Sequence, residues 1–303
     1  MISFLKLIRY KNLLMVLLTM VLTKYALINS FLENTYLTNF DFLLLILSVL
    51  LITAGGYIVN DIFDIETDKI NKPNKVFINV LIPKKIAWYN YFLFTLSGLF
   101  IGFYLSIKNF TEITLCLYFA SIIILFLYSK FLKKLPLFGN LAISILITFP
   151  IFLVSSISLS LFNNINDQVL INYYNLENTV NIYCFFAFIT TLIREIIKDI
   201  EDVDGDLKIK AKTLPILFGR KRASKVAFLC SCILLFLLLI LSQFIINKAF
   251  LLFYGIVLIL LPLLYFMFLL WKAEKKKDFS KLSSLMKLIM LFGILSMLLF
   301  TIQ

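Results

Sequence analysis

No histidine occurs anywhere in the 303 residues. That absence removes the side chain most used as a metal ligand and as a general base. A haem, a zinc site or a histidine-driven mechanism is therefore set aside. Cysteine is almost as scarce: Cys116, Cys184, Cys230 and Cys232 all lie in apolar runs. Cys230 and Cys232 stand two apart on a helix, so they point to different faces and cannot chelate together. No long polar segment exists from which a separate soluble domain could form. The basic opening stretch, residues 1–11, leads into a long apolar run with no small-residue cleavage site. That run reads as a first membrane span rather than a removable signal peptide. Acidic residues are few, 17 against 29 basic ones.

What is abundant is apolar surface. Residues of hydrophobic type make up 61% of the chain, where soluble domains hold about 45–50%. Runs of roughly 20 apolar residues recur along the whole length, the pattern of helical spans rather than of a barrel. The expected fold is all-α, an integral membrane protein of about nine spans around a central cavity, read as one transmembrane domain over 1–303. The spans fall near 12–32, 40–59, 86–106, 111–129, 137–161, 180–197, 225–246, 249–271 and 282–302. With the N-terminus inside, 26 of the 29 basic residues lie in the inner segments or at the adjoining span ends; Lys24, Lys108 and Lys248 are the exceptions. The net charge of +12 is thus the positive-inside bias, not the mark of a nucleic-acid partner. It places the N-terminus on the cytoplasmic side of the cell membrane, with anchors such as 220–222 and 275–277 facing anionic lipid headgroups.

The few acidic residues are concentrated. Four lie in 61–68 and six in 195–206, so ten of 17 occupy two short windows. Asp61, Asp64 and Asp68 stand at i, i+3, i+7, and Asp199, Asp202 and Asp206 repeat that spacing. On a helix each trio falls within a ~60° arc. Three like charges on one face need a counter-charge, and oxygen-rich clusters of this kind suit magnesium held together with substrate phosphates. Two solvated acidic loops are the plain alternative, but one spacing repeated twice argues against it. Asp61 and Asp199 each follow an even-numbered span, the second and the sixth. Spans one to four and five to eight therefore read as related halves, with the ninth added. Pro73 and Gly205 are the expected stops of the two motif helices. Lys69, Lys72 and Lys75 follow the first motif, either to neutralise phosphate or to anchor the loop. The outer loop 163–178 is Asn-rich and is assigned no chemistry.

Both acidic clusters fall on the inner face. If they face one another, they hold about two or three magnesium ions against a diphosphate, whose departure from an allylic chain leaves a carbocation. The cation needs a dry, aromatic-rich pocket, and the 32 Phe and 14 Tyr are available to line one, although most pack the spans. An acceptor with its own phosphate needs a second anion site, for which Arg9, Lys11, Lys130, Lys133 and Lys134 are placed.

The stretches Asn60-Asp61-x-x-Asp64-x-x-x-Asp68 and Asp199-x-x-Asp202-x-x-x-Asp206 resemble the two signature motifs of the UbiA superfamily of intramembrane prenyltransferases. The resemblance covers essentially the whole chain. It implies magnesium-dependent transfer of a polyprenyl group from its diphosphate to an acceptor. By that resemblance Asp61, Asp64, Asp68, Asp199, Asp202 and Asp206 bind the metal, and Asp64, Asp68, Asp202 and Asp206 are candidate catalytic residues. Asn60, Arg9, Asn12, Lys75, Lys130, Lys134, Arg194, Lys198 and Lys212 are the candidate substrate-binding residues. The stretch from Arg194 to Asp206, then Lys212-Thr213-Leu214-Pro215, is similar to the digeranylgeranylglyceryl phosphate synthase branch, which forms an ether on a glyceryl phosphate lipid. Many relatives carry Arg-Pro where Lys75-Val76 stands, and Pro where Tyr10 stands. An aromatic acceptor on a quinone pathway is the second reading, and a cation-coupled transporter the reading from another class. Transporters, however, bind near the midplane rather than at one face.

Overall fold

The structure is a computed structural model describing residues 2–32, 35, 37–71, 73, 76–108, 112–159, 167–246 and 248–302. Among the described residues nine helices are long and apolar enough to cross a membrane: α1 Tyr10–Phe31, α2 Asn39–Phe63, α3 Lys84–Lys108, α4 Glu112–Lys130, α5 Phe138–Ser158, α6 Asp167–Lys208, α7 Arg220–Phe244, α8 Ala249–Lys272 and α9 Lys276–Thr301. At about 1.5 Å per residue they match or exceed the ~30 Å of a hydrocarbon core, except α4, which falls just short of it. Among those residues the extended pairing is one isolated bridge, Ile78 with Ile82.

Three expectations change. First, α6 begins at Asp167, so much of 163–178, read as loop, is helical; 163–166 lie outside the described residues. Its Asn, Tyr and Leu content carries no breaker, and a helix keeps its backbone groups bonded as it nears the membrane. Second, α5 is broken between the Phe138–Leu146 and Phe149–Leu159 segments. Pro150 cannot donate to the carbonyl of Leu146, and its ring crowds that carbonyl. Third, Gly205 does not stop its helix, which continues to Lys208. A helical glycine costs only about 1 kcal/mol, and the stop lies further on. Lys210 takes the left-handed conformation (φ 54°). Its N–H bonds to the Leu207 carbonyl at 3.1 Å and the Ala211 N–H to the Asp206 carbonyl at 3.0 Å. These are the two bonds that end a helix, here around a lysine instead of a glycine.

The chain forms two compact units, Met1–Leu132 with Phe149–Asn181, and Lys133–Thr148 with Ile182–Gln303. In the first, α2 packs chiefly on α3, with α4 alongside. The contact is made by small residues, as membrane helices require. Ser48 donates to the Gly98 carbonyl at 2.6 Å. A Cβ on Gly98 would meet that serine's own carbonyl at 2.9 Å, and one on Gly55 would meet Thr95 Oγ1 at 2.6 Å. At its N-terminus α2 is capped by Thr38, which accepts from the Asp41 N–H at 3.1 Å. Buried Asp41 receives Lys108 at 2.7 Å, and Lys24 donates to the Leu37 carbonyl at 2.8 Å. Two of the three basic residues assigned to the outer side thus tie off polar groups at that end of α1, α2 and α3.

In the second unit the core is an aliphatic stripe of α6, Ile193, Ile196, Ile197 and Ile200, set against Ala223 and Ala227 of α7, Phe266 of α8 and Phe279 and Met286 of α9. The spacing i, i+3, i+4, i+7 puts those four on one face. The carboxylates of the same helix lie roughly 140° around its axis. This division decides where the site can be: one side of α6 is consumed by packing, and the other carries charge.

Candidate active site

In the first unit the motif runs through a helix end. Asp61 sits in the last turn of α2. Asp64 caps it (φ −94°, ψ 3°), and Asp68 lies in the short helix Ile65–Asn71. The helical bonds continue across the junction: the Asp64 N–H reaches the Asn60 carbonyl at 2.9 Å, and the Asp68 N–H the Asp64 carbonyl at 2.8 Å. The three carboxylates therefore keep their common face even though the helix is nominally interrupted. The short α-helix Ile65–Asn71 lies ahead of Pro73, with Lys72 outside the described residues.

Two donors reach this face. Arg9 Nη2 lies 2.7 Å from Asp61 Oδ1 with its guanidinium 5.0 Å from the Tyr57 ring centroid. Asn60 Nδ2 donates to Asp64 Oδ2 at 2.8 Å. Burial works against a charge on Arg9, but Asp61 first, then Tyr57 and Asp64, hold it more firmly protonated than a free guanidinium. Arg9 reaches Asp61 because its backbone is left-handed (φ 52°, ψ 53°), turning the chain between the Ile2–Leu7 helix and α1. Asn12, half-buried, follows one turn later, its N–H on the Arg9 carbonyl at 2.7 Å.

The remaining basic candidates of this unit are not gathered here. Lys130 is exposed, with its ammonium 4.8 Å from the Phe131 ring centroid. Lys69 pairs with exposed Glu66 at 2.8 Å. Lys75, together with Lys72 and Asn74, lies outside the described residues.

In the second unit Asp199, Asp202 and Asp206 stand on one uninterrupted helix. Asn140, the third residue of α5 and only 4% exposed, donates Nδ2 to Asp199 Oδ2 at 2.8 Å. Glu195, one turn before Asp199 on the same stripe, is buried. It receives Arg194 Nη1 at 2.8 Å and Lys198 Nζ at 2.9 and 3.1 Å. Arg194 and Lys198, both expected to bind substrate, are thus matched by this carboxylate. The Lys212 N–H bonds to the Lys134 carbonyl at 2.8 Å, which brings these two exposed lysines together and ties the loop after α4 to the loop after α6. Arg220 meets exposed Asp204 at 3.1 Å.

The halves match beyond the aspartates. At the offset that carries Asp61 onto Asp199, Ile58, Val59, Ile62 and Ile65 correspond to Ile196, Ile197, Ile200 and Val203, and all eight are buried. Tyr57 then corresponds to Glu195: each stands four positions before the first aspartate, and each receives an arginine. Tyr57, Asn140 and Glu195 are the contributors that sequence reasoning missed. For Glu195 the signal was present in the spacing, since it extends the i, i+3, i+7 trio by one turn. For Asn140 it lay in a contact with a partner far along the chain, on the next helix of the unit.

Among the described residues no three acidic, His or Cys side chains converge closely enough to hold a metal by themselves. The donor set is nonetheless hard oxygen throughout. Asn60 Oδ1 is buried with no hydrogen-bond partner, as is the donor Arg194 Nε. Such an arrangement suits an ion that keeps one or two carboxylates and completes its shell with water and phosphate.

The family model of the UbiA prenyltransferases matches residues 13–292. This chain belongs to the UbiA prenyltransferase family. It is a multi-pass membrane protein and a prenyltransferase. A digeranylgeranylglyceryl phosphate synthase from Methanosphaera stadtmanae is 31% identical over 273 residues, 89% of this chain and 91% of the relative. A solved structure described as digeranylgeranylglyceryl phosphate synthase in membranes is 25% identical, with a TM-score of 0.66 over 98% of each chain. A UbiA homologue from Archaeoglobus fulgidus, solved bound to DMAPP and Mg2+, shares the fold at a TM-score of 0.59 and 16% identity, covering 97% and 99% of the two chains. The UbiA fold and the nine spans read from the sequence are therefore borne out.

Proposed function

We propose that this UbiA member transfers a geranylgeranyl group from its diphosphate to the free hydroxyl of a glyceryl phosphate lipid, forming an ether. The near full-length likeness to a digeranylgeranylglyceryl phosphate synthase carries the acceptor assignment. Residues 1–303 act as one transmembrane prenyltransferase domain, with the motif ends on the cytoplasmic side, where the basic residues accumulate.

Asp61, Asp64 and Asp68 in the first unit, and Asp199, Asp202 and Asp206 in the second, are the residues that would hold magnesium with the diphosphate. When bound, magnesium neutralises the charge that develops on the leaving diphosphate. The chain's own residues supply the rest. Arg9 fixes Asp61, and Asn60 fixes Asp64 while offering Oδ1 as a further oxygen. Arg194 and Lys198, matched by Glu195, add cations near the second motif. The allylic C–O bond breaks with its electron pair on the diphosphate, and the acceptor hydroxyl bonds to the allylic carbon. Its proton passes to a motif carboxylate, Asp64, Asp68, Asp202 or Asp206, or to the departing diphosphate. Lys134 and Lys212 serve the acceptor phosphate as point charges, with Asn12, Lys75 and Lys130 as further substrate contacts.

The test is diphosphate release by purified protein supplied with geranylgeranyl diphosphate and geranylgeranylglyceryl phosphate. Release that requires both magnesium and the acceptor is expected. Release indifferent to magnesium would reject the metal-held diphosphate.

A further inference from the structure

The two halves enter their sites in the same way. Arg9 and Leu137 are both left-handed (φ 52° and 63°), and each stands immediately before a helix that begins an odd-numbered span. A non-glycine residue adopts this conformation at a cost of ~1–2 kcal/mol. The two residues share a positive φ but differ in ψ (53° and −24°), so what recurs is a positive-φ entry to the odd-numbered span rather than one identical turn. Three positions further on, each helix carries an asparagine, Asn12 and Asn140. In the second half that asparagine is almost fully buried, and its amide donates to the first aspartate of the motif, Asp199 Oδ2, at 2.8 Å. In the first half the corresponding turn sends Arg9 to the first aspartate there, Asp61, at 2.7 Å. In each half the opening turn of the odd span delivers an N–H donor to the first carboxylate at the end of the even span.

We infer that Asn140 is a positioning residue for Asp199. By holding Oδ2 it fixes the carboxylate plane and leaves Oδ1 as the oxygen presented to the metal–diphosphate. The inference rests on the metal-held diphosphate proposed above. Asn140 suits the task better than a cation would. A neutral donor orients the carboxylate without bringing a competing cation to it. Its own helix supports it, since Ser144 Oγ donates to the Asn140 carbonyl at 2.6 Å. Groups that hold a metal-binding carboxylate in place are commonly worth 10–100-fold in metal affinity or activity.

The experiment titrates Mn2+ in the presence of inorganic diphosphate into the full-length protein in lipid nanodiscs, read by electron paramagnetic resonance with no turnover. Thermal unfolding is measured on the same samples. Asn140→Ala is expected to weaken Mn2+ binding about 10–100-fold. Asn140→Ser, which keeps a hydroxyl donor at shorter reach, is expected to lose less, and it decides the matter if the alanine variant fails to insert. The exchanged pair Asn140→Asp with Asp199→Asn keeps an amide–carboxylate contact but moves the charge onto α5. Its unfolding midpoint should stay near wild type while Mn2+ affinity stays low. Wild-type affinity in the alanine and serine variants, or recovery of affinity in the exchanged pair, overturns the positioning role and leaves the proposed function standing. A wild-type protein that binds no Mn2+ overturns both.

Discussion

Arg9 separates backbone strain from charge, because it carries both. Arg9→Ala removes a 2.7 Å ion pair to Asp61 and the stacking on Tyr57 but leaves a non-glycine residue in a left-handed turn. A hydrogen bond to a charged group is worth about 1.5–3 kcal/mol. With the Arg9 side chain 36% exposed and Asp61 13% exposed, solvent screening brings the expected loss to about 1–2 kcal/mol. Arg9→Gly loses the same pair but relieves the turn and so recovers about 1 kcal/mol. The two variants should therefore differ in stability and agree in function. Thermal unfolding in nanodiscs should rank wild type above Arg9→Gly, and Arg9→Gly above Arg9→Ala. Diphosphate release titrated with magnesium should show both variants about 10-fold or more impaired, because Asp61 has lost the group that orients it. If Arg9→Ala keeps the wild-type magnesium dependence, Arg9 is only a headgroup anchor and the reasoning fails. If the glycine variant is no more stable than the alanine variant, the left-handed turn carries no strain.

Asp64→Ala and Asp202→Ala should each cut turnover about 10²–10³-fold while the protein still inserts, the usual loss of a preorganised electrostatic contact; near-normal rates at saturating magnesium in both would reject the metal-binding role of the two motifs. A reporter fused after residue 303 should behave as extracytoplasmic, as an odd span count with the N-terminus inside requires, and a cytoplasmic signal there contradicts the count or the orientation. Gly98→Val should lower the unfolding midpoint and activity together. The Cβ of the new side chain meets the Ser48 carbonyl at 2.9 Å and Ile52 Cγ1 at 2.8 Å, and overpacking of this kind costs about 1–3 kcal/mol. An unchanged midpoint would show that α2 and α3 do not pack as closely as described.

The spans were legible because a membrane helix must carry its own apolar length, and nothing else in a sequence produces runs of about 20 such residues. The acidic stripes were legible because helical periodicity turns spacing into a face. Local stops were read less well. Gly205 looked like a terminator, yet the stripe Ile193–Ile200 is packed firmly enough to carry the helix past it, and Lys210 makes the turn. The break in α5 was overlooked although Pro150 announces it. The sequence offers Arg9 as an acceptor-phosphate residue, whereas its contact with Asp61 joins parts of the chain far apart in sequence. Contacts of that kind come from packing between helices, which no local pattern encodes. The same holds for Asn140. Glu195, by contrast, was visible in the spacing and needed only the trio to be extended backwards by one turn.

Product analysis decides the identity of the acceptor. Purified protein is given geranylgeranyl diphosphate together with geranylgeranylglyceryl phosphate and a hydroxybenzoate, with magnesium present, and the products are resolved by mass spectrometry. The expected product is the doubly alkylated glyceryl phosphate ether, dependent on magnesium and absent from the Asp64→Ala variant. A prenylated aromatic ring with no alkylated glyceryl phosphate would contradict it, leaving the UbiA family membership intact.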